Sequence, residues 1–313
     1  MITPAQGVPN YKTGYAIMDV FSKLWNKRYW ETDPLPLITT SKYFSELKKG
    51  DNVKVTNEPT IVFHDDYQDG ADLAVDPVTL DGIDVIIDKA GYFNVPLTDI
   101  QKELSHLALT DQFMETALKE AMKKIDTNFF AAMVDVAIAA NKGATAGNLF
   151  SGYNLGTAGA PVAVNFGGTN SATSIVQYLT QFTAVLREQY ANQETWMVIP
   201  PWMEWVLVNS EMKSTMVMGD GPSRLITGFR GKINNMNVIV SGFLPGKGNA
   251  QGAPTAILGG NKEAIGYTLR NIRTIQWYNG KFQTLLQSEY IWGWKAVKPQ
   301  AIVNGYAYYT APA

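Results

Sequence analysis

Few residues in this sequence could perform catalysis. The chain of 313 residues has two histidines, His64 and His106, and no cysteine. Neither histidine lies in a nucleophile motif, and the G-x-S-x-G pattern of serine hydrolases does not occur. The sequence therefore argues against a serine or cysteine hydrolase, and it also lacks the thiols needed for disulfides and thiolate metal sites.

One cluster, His64-Asp65-Asp66, combines residue types that bind metals. Consecutive residues on an extended segment point to opposite faces, so adjacency in sequence does not bring these side chains onto one ion. The surrounding carboxylates could include a glycosidase pair, but any acidic loop offers such pairs. We interpret the cluster as part of an acidic loop, and we predict no metal site and no catalytic residue.

Motifs for phosphate and nucleic acid are incomplete as well. Gly246-Lys247-Gly248 with Gly252 fits neither the Walker spacing nor G-x-G-x-x-G, and a turn is the better interpretation. No basic stretch with interleaved aromatic residues occurs, and the sequence pI is about 5.8. We expect no cofactor and no strong DNA binding.

Charge is distributed unevenly along the chain. Residues 1–57 carry a net +3, residues 58–135 a net −11, residues 136–260 a net +2 and residues 261–313 a net +4. An acidic middle flanked by basic ends allows the middle of one subunit to attract the ends of another. A solvated acidic face is at least as good an explanation of the charge alone.

The composition is that of a folded protein. Hydrophobic residues make up 46% of the chain and aromatic residues 12%, and the Trp and Tyr side chains that anchor interfaces are prominent. The N-terminus has no basic segment leading into an apolar one, and no window of about 18 residues is uninterruptedly apolar. We expect neither secretion nor membrane insertion.

The first hundred residues combine a helix with a long hairpin. Apolar spacing predicts an amphipathic helix over residues 15–30. Extended segments follow at residues 53–63, with a break at Pro59, and at residues 83–95. The stretch between them, residues 64–82, is rich in Asp and Gly, so the hairpin tip has too little apolar content to pack alone.

The longest predicted helix begins near Thr110, a plausible N-cap, and continues to about Ala140 without Pro or Gly. Its apolar stripe runs from Met114 to Val136. Roughly 30 residues at about 1.5 Å each span about 45 Å, long enough for a structural spine.

The second half begins with residues 141–170, a Gly-, Ala- and Asn-rich connection that we interpret as a subdomain boundary. A helix is predicted over residues 172–190, then a buried strand at Thr-Trp-Met-Val-Ile, then a short helix opened by Pro200-Pro201. Residues 212–232 are predicted to form a loop. Together these elements form a small α/β unit.

Further strands are predicted at residues 237–241, 255–258, 267–277, 281–294 and 296–303. Asn279-Gly280 is a hairpin turn signal between two of them. Lys298-Pro299 suggests an edge position for the last strand, because proline cannot donate to a β-ladder.

Three stretches of the sequence are distinctive: TTSKYFSELKKGDNVKV, FHDDYQDGADLAVDPVTLDGIDVIIDKAGYFNVPLTDIQ and FMETALKEAMKKIDTNFFAAM. In these stretches and in the order of its elements, the chain resembles the major capsid (coat) protein family of tailed bacteriophages, with its HK-ninety-seven-type fold. The likeness covers about residues 38–303. It implies an α+β fold with an N-terminal arm, an extended β-hairpin loop, a peripheral domain with spine helix and β-sheet, and an axial α/β domain.

The resemblance also divides the chain into segments. They are an arm at 1–49, an extended hairpin loop (E-loop) at 51–95, a peripheral domain with spine helix and linker at 96–171, an axial domain at 172–265, and return strands of the peripheral domain at 266–313.

The function implied by the family is self-assembly rather than catalysis. The chain would form hexamers and pentamers in an icosahedral shell that encloses double-stranded DNA without reading its sequence, and no membrane would be involved. Scaffold, portal and decoration proteins are the implied partners. The implied location is the virion, with assembly in the cytoplasm of the host bacterium.

Two alternatives stay open. Within the fold, the chain could be an encapsulin-like shell protein of a cellular nanocompartment. From another class, it could be a soluble carbohydrate-active enzyme that uses the acidic loop.

Candidate intersubunit contacts follow from apolar content and charge. On the arm, Phe21 and Trp25 lie on the apolar face of the predicted helix. On the hairpin, Asp65, Asp66, Asp69 and Asp72 are predicted to meet basic side chains of an adjacent subunit, for which Lys27, Arg28, Arg270 and Arg273 are the candidates.

Overall fold

The structure is a computed structural model that describes residues 34–44, 52–56, 59, 61–65, 82–98, 109–134, 136–167, 172–189, 195–210, 232–278 and 282–311. The helix predicted over residues 15–30 lies outside the described residues. So do residues 66–81 of the hairpin and residues 212–231 of the predicted loop.

The described elements define a mixed α+β fold, as predicted. The α-helices are α1 Leu35–Ile38, α2 Leu109–Met133, α3 Ile175–Glu188 and α4 Pro201–Val208. The strands are β1 Asn52–Thr56, β2 Gly82–Ile86, β3 Lys89–Thr98, β4 Val162–Asn165, β5 Thr173–Ser174, β6 Thr195–Ile199, β7 Lys232–Ile233, β8 Met236–Val240, β9 Thr255–Asn261, β10 Ile265–Tyr278, β11 Gln283–Ala296 and β12 Ile302–Tyr309.

A seven-stranded mixed sheet, in the order β5-β4-β12-β9-β6-β8-β7, forms the larger part of the core. Every residue of β6 is buried. Trp196 and Val198 pack in one hydrophobic cluster, whereas Met197 and Ile199 pack in another. Successive residues of a strand face opposite sides of the sheet, so both faces of this sheet are covered, which explains the unbroken apolar run of β6.

Helices α3 and α4 contribute to the cluster that contains Met197 and Ile199, on the first face of the sheet. The predicted stripe of α3 is confirmed, since Ile175, Leu179, Phe182 and Leu186 are all buried. Pro201 occupies the first turn of α4, as predicted, where its missing N–H leaves no helical bond unmade.

The second face packs against α1 and the C-terminal half of α2. Ile38, Phe129 and Phe130 are buried there together with Trp196. The ring of Phe129 lies edge-on to Trp294 of β11, with centroids 5.7 Å apart. Helix α2 is therefore the element that joins the seven-stranded sheet to a smaller one.

The smaller sheet has three antiparallel strands in the order β10-β11-β3. Strands β1 and β2 form a separate two-stranded ladder. The chain between β2 and β3 crosses β11 closely: a Cβ at Gly293 would lie 2.3 Å from the carbonyl oxygen of Ile86. Glycine is required at this crossing because any side chain would collide with backbone.

The spine helix is shorter than predicted. It ends at Met133 rather than near Ala140, and Thr110 lies inside it rather than capping it, because Leu109 is already helical. Beyond the helix, the side-chain amide of Asn141 donates to the carbonyls of Gln300 and Ile302 at 2.7 and 2.8 Å. These tertiary hydrogen bonds hold a 3-10 turn where sequence pattern favoured more helix.

The last strand was predicted at the wrong residues and in the wrong place. It runs over Ile302–Tyr309, and it lies between β4 and β9 rather than at an edge. Pro299 opens the 3-10 turn Pro299–Ala301 before the strand, so its missing donor removes no ladder bond. The strand consequently belongs to the large sheet, whereas β10 and β11 form the small one.

One further prediction is corrected. Of the strand predicted over residues 53–63, residues 53–56 lie in β1, whereas residues 59 and 61–63 belong to no strand. The interpretation of residues 141–170 as a subdomain boundary stays a prediction, and within residues 141–167 the side chains of Ala146, Leu155 and Val164 are buried in the cluster beneath α3. No helix among the described residues is long and apolar enough to cross a membrane.

Candidate assembly surface

The three-stranded sheet buries apolar side chains on one of its faces. Leu97 and Leu286 are both nearly inaccessible to solvent, and Ser288 is buried two residues further along β11. The register places Leu97 opposite Thr284, which shares a face with Leu286 and Ser288. Helix α2 contacts both β3 and β11. This face is therefore part of the subunit's own core.

The far end of the β10–β11 hairpin is different. We call residues 271–278 and 282–285 the distal ribbon. Trp277 is 56% exposed, and Ile272, Tyr278 and Phe282 are also exposed. Trp277 and Tyr278 are consecutive on a strand, so they point to opposite faces. The tip of the ribbon is thus uncovered on both faces, and exposed clusters of large apolar residues mark interaction sites.

A polar network fixes the direction of the distal ribbon. The β10–β11 register shifts between Asn271 and Arg273, which is a bulge. The Asn271 amide donates to the Thr274 hydroxyl at 2.9 Å, and the hydroxyls of Thr274 and Ser288 lie 2.8 Å apart. These bonds tie the bulge to the neighbouring strand, so the ribbon has a defined orientation.

The segment 61–65 carries a second group of exposed apolar side chains. Ile61, Val62 and Phe63 are consecutive, and Phe63 is 88% exposed. The segment forms no strand and precedes the acidic part of the hairpin. Three adjacent exposed apolar residues lower the solubility of a free chain, so such a run is expected to be covered in an assembled state.

A third group lies on the loop of residues 147–153. Leu149 is 80% exposed and Phe150 is also exposed. The carboxylate of Glu188, at the end of α3, accepts hydrogen bonds from the backbone N–H groups of Asn148 and Leu149 at 2.7 and 2.8 Å. One side chain thereby holds the loop in the conformation that presents these two apolar residues.

The same hydrogen bonds affect the titration of Glu188. Partial loss of water around the carboxylate raises its pKa, but the donors from the loop, together with the Tyr153 hydroxyl, outweigh this effect. The net result is a pKa below the ordinary glutamate value. The loop is therefore bound most firmly when Glu188 is ionised.

The segment 34–44 is fastened to the start of β10. Backbone hydrogen bonds of 3.0 Å join Thr40 to Ile265 and Tyr267. The Tyr43 hydroxyl donates to the Glu263 carbonyl at 2.8 Å, and Lys42 forms a salt bridge with the Glu263 carboxylate. The hydrogen bond and charge of Lys42 lower the pKa of Glu263. This part of the predicted arm is thus anchored on the subunit's own body.

Few of the contact residues predicted from sequence lie in the described residues. Asp65 is exposed in the segment 61–65. Arg270 is half-buried and donates to the Phe44 carbonyl at 3.5 Å, so it supports the anchored segment. Arg273 is exposed on the distal ribbon, opposite Glu289 in the register. The others, Phe21, Trp25, Lys27, Arg28, Asp66, Asp69 and Asp72, lie outside the described residues.

The aromatic residues of the distal ribbon were missed as candidates. The available signal was Trp277-Tyr278 placed directly before Asn279-Gly280, since two adjacent aromatic residues break the alternation of a half-buried strand. Such a break fits a strand end with no covered face, but it fits a strand covered on both faces equally well.

The remaining motifs do not form a reaction site in the described part of the chain. Gly246 and Gly248 have φ values of 101° and 66°, and the Gly248 N–H donates to the Ala253 carbonyl at 2.8 Å, so the predicted turn is confirmed. No group of three or more His, Asp or Glu side chains placed to hold a metal occurs among the described residues.

Comparison with known proteins supports the fold. No protein-family model matches the sequence, and no curated protein matches it. Among solved structures, the capsid of the cyanophage P-SCSP1u aligns with a TM-score of 0.67 and 16% identity over 99% of both chains. A chain from Mycobacterium phage Che8 aligns with a TM-score of 0.64 and 15% identity, over 91% of this chain and 95% of that one.

The capsid of a native GTA particle also aligns, with a TM-score of 0.64 and 13% identity over 95% and 97% of the two chains. The matches run through almost the whole length of each chain. The predicted phage capsid fold is therefore confirmed.

Proposed function

We propose that this chain is a major capsid protein of a tailed bacteriophage, which assembles into an icosahedral shell around a double-stranded DNA genome. The observation that carries the proposal is the fold match with phage capsid chains from end to end. We propose a structural role and no enzymatic one.

The exposed apolar groups support this proposal. The distal ribbon, the segment 61–65 and the loop 147–153 all present large apolar side chains to solvent in the single chain. Each would bury only a modest area against a neighbour. Repetition around a closed shell adds many such contacts, so weak individual contacts give a stable particle.

We propose that charge assists the association. The acidic hairpin with Asp65, Asp66, Asp69 and Asp72 would approach basic residues of an adjacent copy, among them Arg273. Each exposed pair is worth about 0.2–1 kcal/mol, so the effect depends on repetition. Arg273 already faces Glu289 in its own sheet, so approach of a further carboxylate competes with that neighbour.

A deletion tests the hairpin separately from the fold. Replacing residues 66–81 by a short Gly-Ser bridge removes the acidic stretch and leaves β1 and β2 joined. We expect a folded subunit that fails to close shells, and high salt should slow the association of the unaltered chain. Particles of normal size and thermal stability from the deletion variant would count against the intersubunit role of the hairpin.

The remaining assignments are the arm, the partners and the place of assembly. We propose that the apolar face with Phe21 and Trp25 docks on another part of the shell, and that a separate scaffold, portal and decoration proteins take part. Assembly would occur in the cytoplasm of the host bacterium, and the virion would be the final location.

The direct experiment is to express the chain and measure the size of what forms. Size-exclusion chromatography and negative-stain images should show shells or ring-shaped capsomers. A stable monomer, or an oligomer smaller than a ring-shaped capsomer, at high concentration would contradict the proposal and favour a soluble enzyme. A shell that packages a host enzyme rather than DNA would favour a nanocompartment.

A further inference from the structure

A cavity of about 300 Å³ lies between the end of α3, the start of β6 and the β7–β8 turn. It is separate from the three exposed apolar groups. The helix contributes Thr183 and Arg187, β6 contributes Thr195, and the turn contributes Asn234 and Asn235. The lining is thus mainly polar, with apolar side chains completing it.

One polar group in this lining has no partner within the described part of the chain. Thr183 is only 3% exposed, and its hydroxyl makes no hydrogen bond to any described residue. Burial of a hydroxyl without a partner is unfavourable, and such groups in native proteins usually have a water or a ligand. Thr183 is one of the residues that line the cavity, and a rotation about its Cα–Cβ bond would turn the hydroxyl towards a species bound there.

The charged group in the lining is a cation. Arg187 lies four residues after Thr183, on the same side of α3. Its guanidinium is exposed and donates to the Asn234 carbonyl at 3.4 Å, and it forms no salt bridge within the described residues. Most of its five donors therefore remain available for acceptor oxygens.

The turn adds further polar groups. Asn234 and Asn235 have φ values of 44° and 73°, as expected for the two central residues of a tight hairpin turn. Glycine would satisfy that backbone equally well. Asparagine at both positions places two amide groups, each with two N–H donors, at the rim of the cavity.

We propose that this cavity binds an oxyanion, with Arg187 as its counter-charge and the Thr183 hydroxyl as a buried donor. Among the described residues, the lining supplies a cation, hydroxyls and amides and no carboxylate, which favours phosphate-like or carboxylate ligands. The negative end of the α3 dipole opposes an anion here, so Arg187 must outweigh it. The inference does not depend on the proposed capsid function.

Calorimetric titration of the full chain with sodium phosphate, at ionic strength held constant with sodium chloride, tests the site. We expect one phosphate per chain. Arg187→Gln should weaken binding about tenfold or more, because charge-assisted hydrogen bonds are lost. Lys232→Gln is the matched control, since Lys232 is an exposed cation of the same hairpin that does not line the cavity.

Thr183→Val gives a second readout that does not depend on charge. It replaces an unpartnered hydroxyl by a methyl group of similar size. The variant should melt at the same or a higher temperature than the unaltered chain without phosphate. Added phosphate should raise its melting temperature less. Asn235→Gly keeps the turn geometry and should weaken binding more mildly.

A free phosphate ion and a carboxylate of a second copy could both bind in this way. Sedimentation velocity, which measures association between copies, distinguishes these two cases. If a neighbouring copy supplies the carboxylate, phosphate should compete and reduce association. If the ligand is a free ion, association should not change. Absence of phosphate binding by the unaltered chain, or equal loss of binding in Arg187→Gln and Lys232→Gln, would overturn the proposal.

Discussion

The seven-stranded sheet and the three-stranded sheet use similar residues in opposite ways. In the large sheet, both faces are covered and even Trp196 is only 2% exposed. In the small sheet, one face buries its apolar residues, and the distal ribbon leaves Trp277 and Phe282 in solvent. The same residue type thus contributes to folding in one region and is available for association in the other.

Because of this difference, the free energy of folding and the free energy of association depend on different apolar surfaces. Burial in the large sheet stabilises the single chain, because the apolar area is removed from water on folding. The ribbon gains little from folding, so its apolar area is removed from water only if another molecule covers it. A subunit built this way can fold alone at modest concentration and associate when the concentration rises.

The largest expected effect distinguishes two tryptophans. Trp196→Ala should lower the free energy of unfolding by about 3–5 kcal/mol, because a large buried side chain is lost and a cavity remains. Trp277→Ala should lower it by no more than about 1 kcal/mol, since the ring is already half in water. Denaturant unfolding of the two variants measures both values, and equal losses would remove the distinction between the regions.

The next effect concerns association. Trp277→Ser and Phe63→Ser should each weaken contacts between copies, by about 2 kcal/mol or about 30-fold if they are central to an interface. Unfolding of the free subunit should change little. The control is Gln276→Ser, which alters an exposed polar residue beside Trp277. Light scattering during assembly gives the rates, and unaltered assembly by both variants would exclude these residues from the interface.

A pH effect is expected at Glu188. Its pKa is lower in the folded chain than in the unfolded one. The stabilisation is therefore complete above the ordinary glutamate pKa, and it is lost as pH falls through the lowered value. Hydrogen exchange at the amides of Asn148 and Leu149 should accelerate in acid relative to the core amides. Glu188→Gln should abolish that pH dependence, and an identical acid response in this variant would contradict the assignment.

The smallest effect is expected at the anchored segment. Lys42→Gln should cost only about 0.2–1 kcal/mol, because the salt bridge with Glu263 is largely exposed. The backbone bonds of Thr40 should keep the segment in place. Thermal unfolding at low and high salt measures the difference. A loss well above this range would mean that the segment depends on charge rather than on its backbone pairing.

The sequence predicted the elements better than their ends. Apolar spacing identified α3, and the Pro200-Pro201 pair placed α4, since these signals are local. The end of α2 and the position of β12 depend on Asn141 and on pairing with β4 and β9, which are contacts distant in sequence. Periodicity contains no information about such contacts, so both predictions failed.

The candidate surface was predicted only in part. Charge counts pointed to Arg270 and Arg273, but Arg270 donates to the Phe44 carbonyl of its own chain. The exposed ribbon could not be recognised as exposed, because a strand with apolar residues on both faces also fits a fully buried strand. Only the three-dimensional arrangement shows which of the two apolar strands, β6 or the end of β10, lies in solvent.

Hydrogen exchange in free and assembled states most directly tests the division between residues buried on folding and residues covered on association. We predict that amides of residues 271–278 and 61–65 gain protection when shells form, while those of β6 and β12 are equally protected in both states. Unchanged exchange in the ribbon and the segment 61–65, in particles verified by electron microscopy, would contradict the claim that these residues form the contacts between subunits.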